Sequence, residues 1–462
     1  MSSQSLTAGY IDLATMDVLE MEYLYGTDEE SVTYFVRKST KSTWFTQIPV
    51  TLHKSSSSSD FGSDWTVTIS RAADYLLNVW LRVTVPSVTL ATGNQFGTNG
   101  RLRWTRNFMH NLIDDCYTSF NEISAGSFNH YHLDFWSAFT VPAGKRNAYN
   151  NMIGNFDDMT GPHAPGVAIP SFTLNLPLPF WFCTDTGIAL PTAALPYNDM
   201  KIHFKFREWQ KLLVLDNLAA AAGSEYRATV NASDLDGGAP SIATSCQVWA
   251  NYALVDKLER DRMGCAPREM IVDRVYQLGA QKFSPATNPT PTFDLRFSYA
   301  VRAMFFGMAN VTHVADGSNY TCASPVPGAR VVDFYPANAT DPILETTLSY
   351  ESTHRLSKMG SDYFSLVNPY YHAPVVPSET GYHVYSFALD FTMTNPNGST
   401  NWGKLANVSV SVTASQNAID AATGAGATGS GSDFAQSYEF VLSVLTHTVI
   451  LISGGTLGFP VM

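Results

Sequence analysis

Charge is scarce in this chain. Only 15% of its 462 residues are Asp, Glu, Lys or Arg, against about 25% in an ordinary soluble domain. Cysteine is scarce too. Cys116, Cys183, Cys246, Cys265 and Cys322 are odd in number, far apart and without a C-x-x-C pair. That spacing argues against a disulfide framework or a cysteine zinc site, and points to buried or free thiols in a reducing compartment. Basic runs are lacking, and the net charge is −12. Affinity for a phosphate backbone comes from clustered Lys and Arg, so no nucleic-acid partner is expected. The densest basic spot, "RLRWTR" (Arg101 to Arg106), alternates and reads as the solvated face of a strand. Long apolar runs are also missing. The greasiest stretch, "LPLPFWFCTDTGIALPTAALPYNDMKIHFKF" (Leu176 to Phe206), is broken by Pro177, Pro179, Pro191 and Pro196 and by Asp185. A spanning helix needs about 20 apolar residues without such breakers. The opening "MSSQSLTAGYIDLATM" has neither the charged start nor the apolar core of a secretory signal, so none is expected. Two readings of the low charge stay open: a surface rich in Ser, Thr and Asn, or a surface covered by neighbouring subunits.

What is present is strand-like. The chain is 45% hydrophobic and 13% aromatic, long enough for two or three domains with sizeable cores. "DWTVTIS" sets Trp65, Val67 and Ile69 against Thr66, Thr68 and Ser70. "LLNVWLRVTVP" puts Leu77, Val79, Leu81, Val83 and Val85 on one face, and "NVSVSVT" opposes Val408, Val410 and Val412 to polar neighbours. Met200 to Phe206 alternates strictly. This is the period of half-buried strands. "LPLPFWF" reads as a strand tolerated at an edge, and "TGIALPTAAL" as its link to the next. Turn clusters such as "KSSSSSDFGSD" and "ATGNQFGTNG" separate the runs. A helical interval fits "SFNHYHLDFWSAF", and a weak helical pattern surrounds "DVLEMEYLY" near the start. The charged segment Asp256 to Glu269 breaks the pattern and is the best boundary, after which the chain repeats its style. Many short strands with few helices indicate two β-sandwiches in tandem.

Chemistry-bearing motifs are weak. "GAGATG" (Gly424 to Gly429) matches a dinucleotide fingerprint but does not follow a strand and open a helix, so a Gly/Ser loop between strands is expected. Nine of the ten residues from Gly424 to Asp433 are Gly, Ala, Ser or Thr, which predicts a mobile loop. His130 and His132, near Asp134, would share a face on a strand, but they lack a third placed ligand and sit among Phe128, Tyr131, Phe135 and Trp136. Asp157, Asp158, Asp199 and Asp390 could be searched for a glycosidase pair, yet no spacing singles out two of them. Sequons at Asn231, Asn310, Asn319, Asn338, Asn397 and Asn407 matter only on a secretory route. There is no G-x-S-x-G elbow and no Walker loop. No catalytic, cofactor-binding or metal-binding residue is assigned, and no cofactor is expected.

The long apolar stretch resembles a hallmark of the major capsid proteins of large cytoplasmic DNA viruses: a Leu-Pro-Leu-Pro-Phe strand, a Gly-x-Ala-Leu-Pro turn, then an alternating strand. "SVTYFVRKSTKSTWFTQIPV" (Ser31 to Val50) is similar to that family's entry to its first sandwich, and "KRNAYNNMIGN" (Lys145 to Asn155) to its Tyr-x-x-Met-Ile-Gly segment. "ERDRMGCAPREMIVDRV" resembles the linker, and "YSFALDFTMTNPNGSTNWGKLANVSVSV" (Tyr385 to Val412) and "SGGTLGFPVM" resemble the second hallmark and the C-terminus. The match covers nearly the whole chain in order and is most similar to the iridoviruses. It implies an all-β fold of two tandem eight-stranded antiparallel jelly rolls: an N-terminal arm at 1–34, a first jelly roll at 35–257 and a second at 258–462. It further implies a non-enzymatic subunit whose homotrimers, pseudo-hexagonal in outline, tile an icosahedral virion shell over an internal lipid membrane. Expected partners are other copies, minor capsid proteins and the membrane, reached by the arm; the Gly-rich loop would face outward. The rival reading is a carbohydrate-binding or glycosidase-like sandwich, which needs a concave aromatic face and a carboxylate pair. A cell-surface adhesion module would need a signal peptide.

Overall fold

The computed structural model describes residues 6–26, 31–55, 58–219, 227–265, 267–322, 340–423 and 435–459. The chain divides into two compact units, Met1–Trp44 and Phe45–Met462. The first holds two short helices, Leu6–Ala14 and Val18–Tyr23, the second of them where the weak helical pattern was seen. All of its described residues are exposed, so it has no core of its own. Among the described residues, no helix is long and apolar enough to cross a membrane.

The second unit is built of antiparallel strands. Eight strands of its first half, in chain order, are Phe45–Thr51, Asp64–Thr68, Tyr75–Val85, Ile113–Phe120, Ile123–Phe128, Phe172–Pro177, Met200–Phe206 and Gln247–Val255. One sheet pairs them in the order first, eighth, third, sixth; the other runs second, seventh, fourth, fifth. The second half supplies Arg268–Phe283, Thr292–Leu295, Ala300–Asn310, Ile343–Tyr350, Thr353–Gly360, His383–Ser386, Val408–Ala414 and Tyr438–Ser453. These pair in the same two orders. Each half is therefore a jelly roll, in which distant parts of the chain become sheet neighbours. Shorter strands attach at the margins, bringing the total among the described residues to 25.

Alternation does what it predicts. Trp65, Val67 and Ile69 are buried, as are Val79, Leu81, Val83 and Val85, and Val408, Val410 and Val412. The proline-rich stretch is less regular than a strand. Pairing stops at Pro177, opposite Trp80. Pro177 and Pro179 have no N–H for a ladder, and the chain crosses to the other sheet through three 3₁₀ turns, Trp181–Cys183, Thr186–Ile188 and Thr192–Ala194. The boundary segment forms the helix Lys257–Cys265. Its Arg260 grips the buried Asp74 of the first half through Nε at 2.8 Å and Nη2 at 2.9 Å.

Each sandwich has a core between its sheets. In the first, Trp65 stacks on Phe204 at 4.7 Å; in the second, Phe293 stacks on Phe440 at 4.3 Å. The first core continues into Met270, Val272, Ile450 and Ile452 of the second half. A third cluster forms where the helix His130–Thr140, inserted between the fifth and sixth strands of the first half, meets the second half. Phe135, Ala138 and Phe139 lie against Ala303, Phe305, Val384, Val441 and Leu445. The next inserted helix, Ala143–Ile153, ends at Gly154 with φ 82°; a Cβ there would come within 2.8 Å of the Met159 sulfur and 2.9 Å of a Leu174 methyl. That is the glycine of "NMIGN".

Phe305 is buried beneath Phe139 (5.9 Å) and Phe391 (5.4 Å). Phe305→Ala is expected to cost about 3–5 kcal/mol through lost burial and an unfilled cavity, while Leu258→Ala, at an exposed site, stays within about 0.5 kcal/mol. Denaturant unfolding at neutral pH measures both.

Candidate functional site

The polar residues that carry most charge inside the protein gather between the two halves. Arg103 and Arg227 from the first half face Asp216 of the same half and Asp316 of the second. Arg103 reaches Asp216 at 3.4 Å and Asp316 at 3.2 Å; Arg227 reaches them at 2.6 and 2.9 Å. Arg103 and Arg227 are buried. Burial alone would push the Asp316 carboxyl up, but the Arg227 and Arg103 guanidinium groups outweigh it and hold the group well below the usual carboxylate range. Nearby, Arg106 bonds Glu379 at 2.7 Å. The expectation that "RLRWTR" is a solvated face is thus corrected. Gly100–Trp104 is indeed a strand, but Arg103 and Arg106 point inward because acids from distant segments meet them there.

Asp134 anchors a second group. Its side chain and that of His110 have no solvent contact. It accepts four hydrogen bonds: from His110 Nδ1 (2.7 Å), Asn107 Nδ2 (3.1 Å), Ser318 Oγ (2.6 Å) and the Tyr320 hydroxyl (2.9 Å). On its other side, His110 Nε2 lies 2.8 Å from the Tyr149 hydroxyl. Burial favours the neutral acid, yet the bonds from His110, Ser318 and Tyr320 prevail and lower the Asp134 pKa. This Asp–His–Tyr relay joins two inserted helices to the second half. It is a structural knot.

His130 and His132 do not form a pair. They lie on a helix, where residues two apart point to opposite sides. His132 is buried, its Nδ1 3.1 Å from Ser443 Oγ, and burial lowers its pKa to about 3. His130 packs on Tyr131 at 4.0 Å between ring centres. The searched carboxylates also stay apart in their bonding. Asp157 and Asp158 open a short helix, Asp199 pairs with Lys201 at 2.5 Å, and Asp390 accepts from Thr392. Among the described residues, no group of three or more His, Cys, Asp or Glu is placed to hold a metal ion. All five cysteines are free, with Cys116, Cys246 and Cys322 buried; burial pushes the Cys246 thiol up to about 12. Asn310 is buried and bonded to Gln436 and the Thr321 carbonyl, so its sequon is closed in the folded chain. The "GAGATG" loop and Asn338 lie outside the described residues.

A cleft of about 340 Å³ opens between the halves, lined by His130, Tyr131, Arg207, Lys282 and Glu439 among others. Its Lys282 and Glu439, neighbours on paired strands of the second half, form an ion pair at 3.5 Å on one wall. Exposed apolar side chains in the second half also stand out. Leu366, Val367, Tyr370, Tyr371, Leu389 and Met393 are all exposed. The only signal in the sequence was the doublet "YY" after a proline.

A sheet order repeated twice in one chain, with exposed apolar residues on its second half, fits a building unit. Family comparison decides which. Residues 33–256 match the family model "Major capsid protein N-terminus", and residues 259–458 match "Large eukaryotic DNA virus major capsid protein". This chain belongs to that capsid protein family. It is 53% identical to the major capsid protein of Costelytra zealandica iridescent virus, over 100% of both chains. It is 52% identical to that of Invertebrate iridescent virus 6, over 100% of this chain and 99% of the relative. The fold is shared with the PBCV-1 virus capsid (TM-score 0.71, 19% identity, 93% of this chain and 100% of that one). It is shared as well with the Faustovirus major capsid protein (TM-score 0.69, 11% identity, 92% and 93% covered). The protein is an iridovirus-type major capsid protein, a structural component of the virion shell with a double jelly-roll fold.

For a capsid subunit the buried groups matter as stability determinants. Asp316→Ala strands two guanidinium groups beside one carboxylate, and is expected to cost about 3–5 kcal/mol in denaturant unfolding at pH 7. His132 gives a pH dependence. Its folded pKa, about 3, lies below the ordinary 6.5, so the unfolded chain binds more protons between these values. Stability therefore falls as pH drops from 6.5 towards 3, by about 1.4 kcal/mol per unit from this residue. His132→Gln should remove that share of the slope, read by denaturant titrations at pH 6.5 and pH 5.

Proposed function

We propose that the capsid protein acts as a homotrimer of pseudo-hexagonal outline. These trimers tile an icosahedral shell over an internal lipid membrane, in particles assembled in the host cytoplasm, and the chain has no catalytic role. One observation carries this reading: both halves have the same sheet order, first–eighth–third–sixth over second–seventh–fourth–fifth. Three such chains present six like blocks, which lets a three-fold object fill six-fold positions. The kinship with capsid proteins over the full chain supports it. The glycosidase-like alternative finds less support, since the carboxylates considered for it are bonded locally to different partners.

The N-terminal arm is proposed to lie on the inner side of the shell, next to the membrane or minor capsid proteins. It carries exposed apolar residues, Leu6, Tyr10, Ile11, Leu13, Val18, Leu19 and Tyr23 among them, on helices too short to hold themselves in water. Such a segment needs another surface to cover it.

Two outcomes are expected. Sedimentation at micromolar concentration and neutral pH should give a trimer; a monomer alone would sink the assembly reading. A chain lacking residues 1–34 should keep the wild-type unfolding transition but assemble shells poorly. Loss of the fold in that variant would show that the arm is part of the body.

A further inference from the structure

The repeat has one unequal element. In both halves a helical segment follows the fifth strand: His130–Thr140 after Ile123–Phe128, and residues 361–372 after Thr353–Gly360. Each segment sends one side chain into its own sandwich, Leu133 in the first half and Phe364 in the second. Two and six residues later come Phe135 and Phe139 in one segment, and Leu366 and Tyr370 in the other. There the likeness ends. Phe135 and Phe139 are buried on the outer face of the second half's sheet, the one containing Ala300–Asn310 and Tyr438–Ser453. Leu366 is 53% exposed, and Tyr370 and Tyr371 are 72% exposed.

The receiving faces show the reverse. The corresponding sheet of the first half contains Tyr75–Val85 and Gln247–Val255. Its inward residues are Val79, Leu81 and Val83 on one strand and Val248, Ala250 and Tyr252 on the other. Trp80 and Trp249 therefore point outward. They sit opposite each other in register, stacked at 6.2 Å, with Pro177 across from Trp80 on the other side. Both rings are half-buried, and neither joins any apolar core among the described residues. The chain thus carries one donor helix and one acceptor face already joined, and one of each left over.

We propose that the helical segment 361–372 of one copy lies on the Trp80–Trp249 face of a second copy, repeating between chains the contact that His130–Thr140 makes within one. Leu366, Tyr370 and Tyr371 are the anchors, and the stacked tryptophans are the seat. Aromatic anchors of this kind dominate interface energies, with the tyrosine hydroxyls able to stay wet at the rim. The contact is head to tail, so repeated around a rotation axis it closes a ring. The inference rests on the trimer reading and names the surfaces that make it.

A Cys265→Ser background, which removes the exposed thiol, carries Val367→Cys in the helical segment and Gln247→Cys beside the seat together, leaving the anchors and both tryptophans in place. After treatment with a short bis-maleimide, linked species of two and three chains are expected on a denaturing gel. Either cysteine alone should give neither. In parallel, Trp80→Ser with Trp249→Ser should raise the concentration at which half the chains are assembled by about 30-fold or more. If the wild-type chain is a trimer while the double-cysteine chain does not link and the serine variant still assembles normally, the proposed seat is wrong and the trimer stands. If the wild-type chain is a monomer, the trimer reading itself fails. Linking without weakening in the serine variant would place the helix near the seat but remove the tryptophans as its anchors, which also overturns the proposal. Should the serine variant lose its fold, the cysteine pair decides alone.

Discussion

A carboxylate with no water around it must be given hydrogen bonds, and Asp134 receives four, from both halves of the protein. An unpaired charge in that position would cost several kcal/mol. The donors, in turn, are held by what they belong to. His110 and Asn107 sit at a helix beside the first core; Ser318 and Tyr320 sit on a loop of the second half. Moving either half against the other would break bonds on one carboxylate. The Arg103–Asp216–Arg227–Asp316 group works the same way a short distance along the chain. Apolar packing of Phe135 and Phe139 supplies affinity between the sandwiches, and the buried charges fix their register.

That division matters for a wall made of repeated blocks. A jelly roll alone has no reason to meet a second one at a fixed angle. Here the first half extends a helix that lies on its neighbour, and the linker helix Lys257–Cys265 ties back to Asp74 through Arg260. The pair is then a rigid brick whose end faces can be matched to other bricks. Rigidity in the unit is what makes a flat contact between units reproducible, since little ordering entropy remains to be lost on assembly.

Much of this fold was legible in the sequence, because alternation of apolar and polar residues is a local signal. Trp65–Val67–Ile69 and Val408–Val410–Val412 read as strands and are strands with those faces buried. The helix at His130–Thr140 was also legible. The buried charges were not. "RLRWTR" alternates like a surface strand, and nothing within six residues shows that Asp216 and Asp316 will arrive from more than a hundred residues away. The paired histidines were a weak signal from the start: their spacing gives a shared face only on a strand, and the helix turns one away from the other. "LPLPFWF" was read as strand throughout, but its prolines end the ladder at Pro177. Exposed apolar residues such as Tyr370 and Tyr371 are invisible to a pattern method that treats every apolar residue as core.

The low charge fraction takes on a different meaning once the interior is known. Arg103, Arg106, Arg227, Arg302, Asp74, Asp134, Asp216 and Asp234 are all buried. The already small number of charges is therefore spent partly inside, and the outer faces are poorer still. On the two central strands of the face that carries Trp80 and Trp249, the other outward residues include Asn78, Arg82, Thr84, Gln247 and Asn251, polar side chains with one arginine among them. Such a face loses little when a neighbour displaces its water, because amides can bond across an interface and few ions need desolvation. A surface built this way stays soluble through its polar groups and still lets the next subunit approach closely. Concentrating charge within the brick and sparing it on the sides gives one short chain both a fixed shape and faces that other copies can meet.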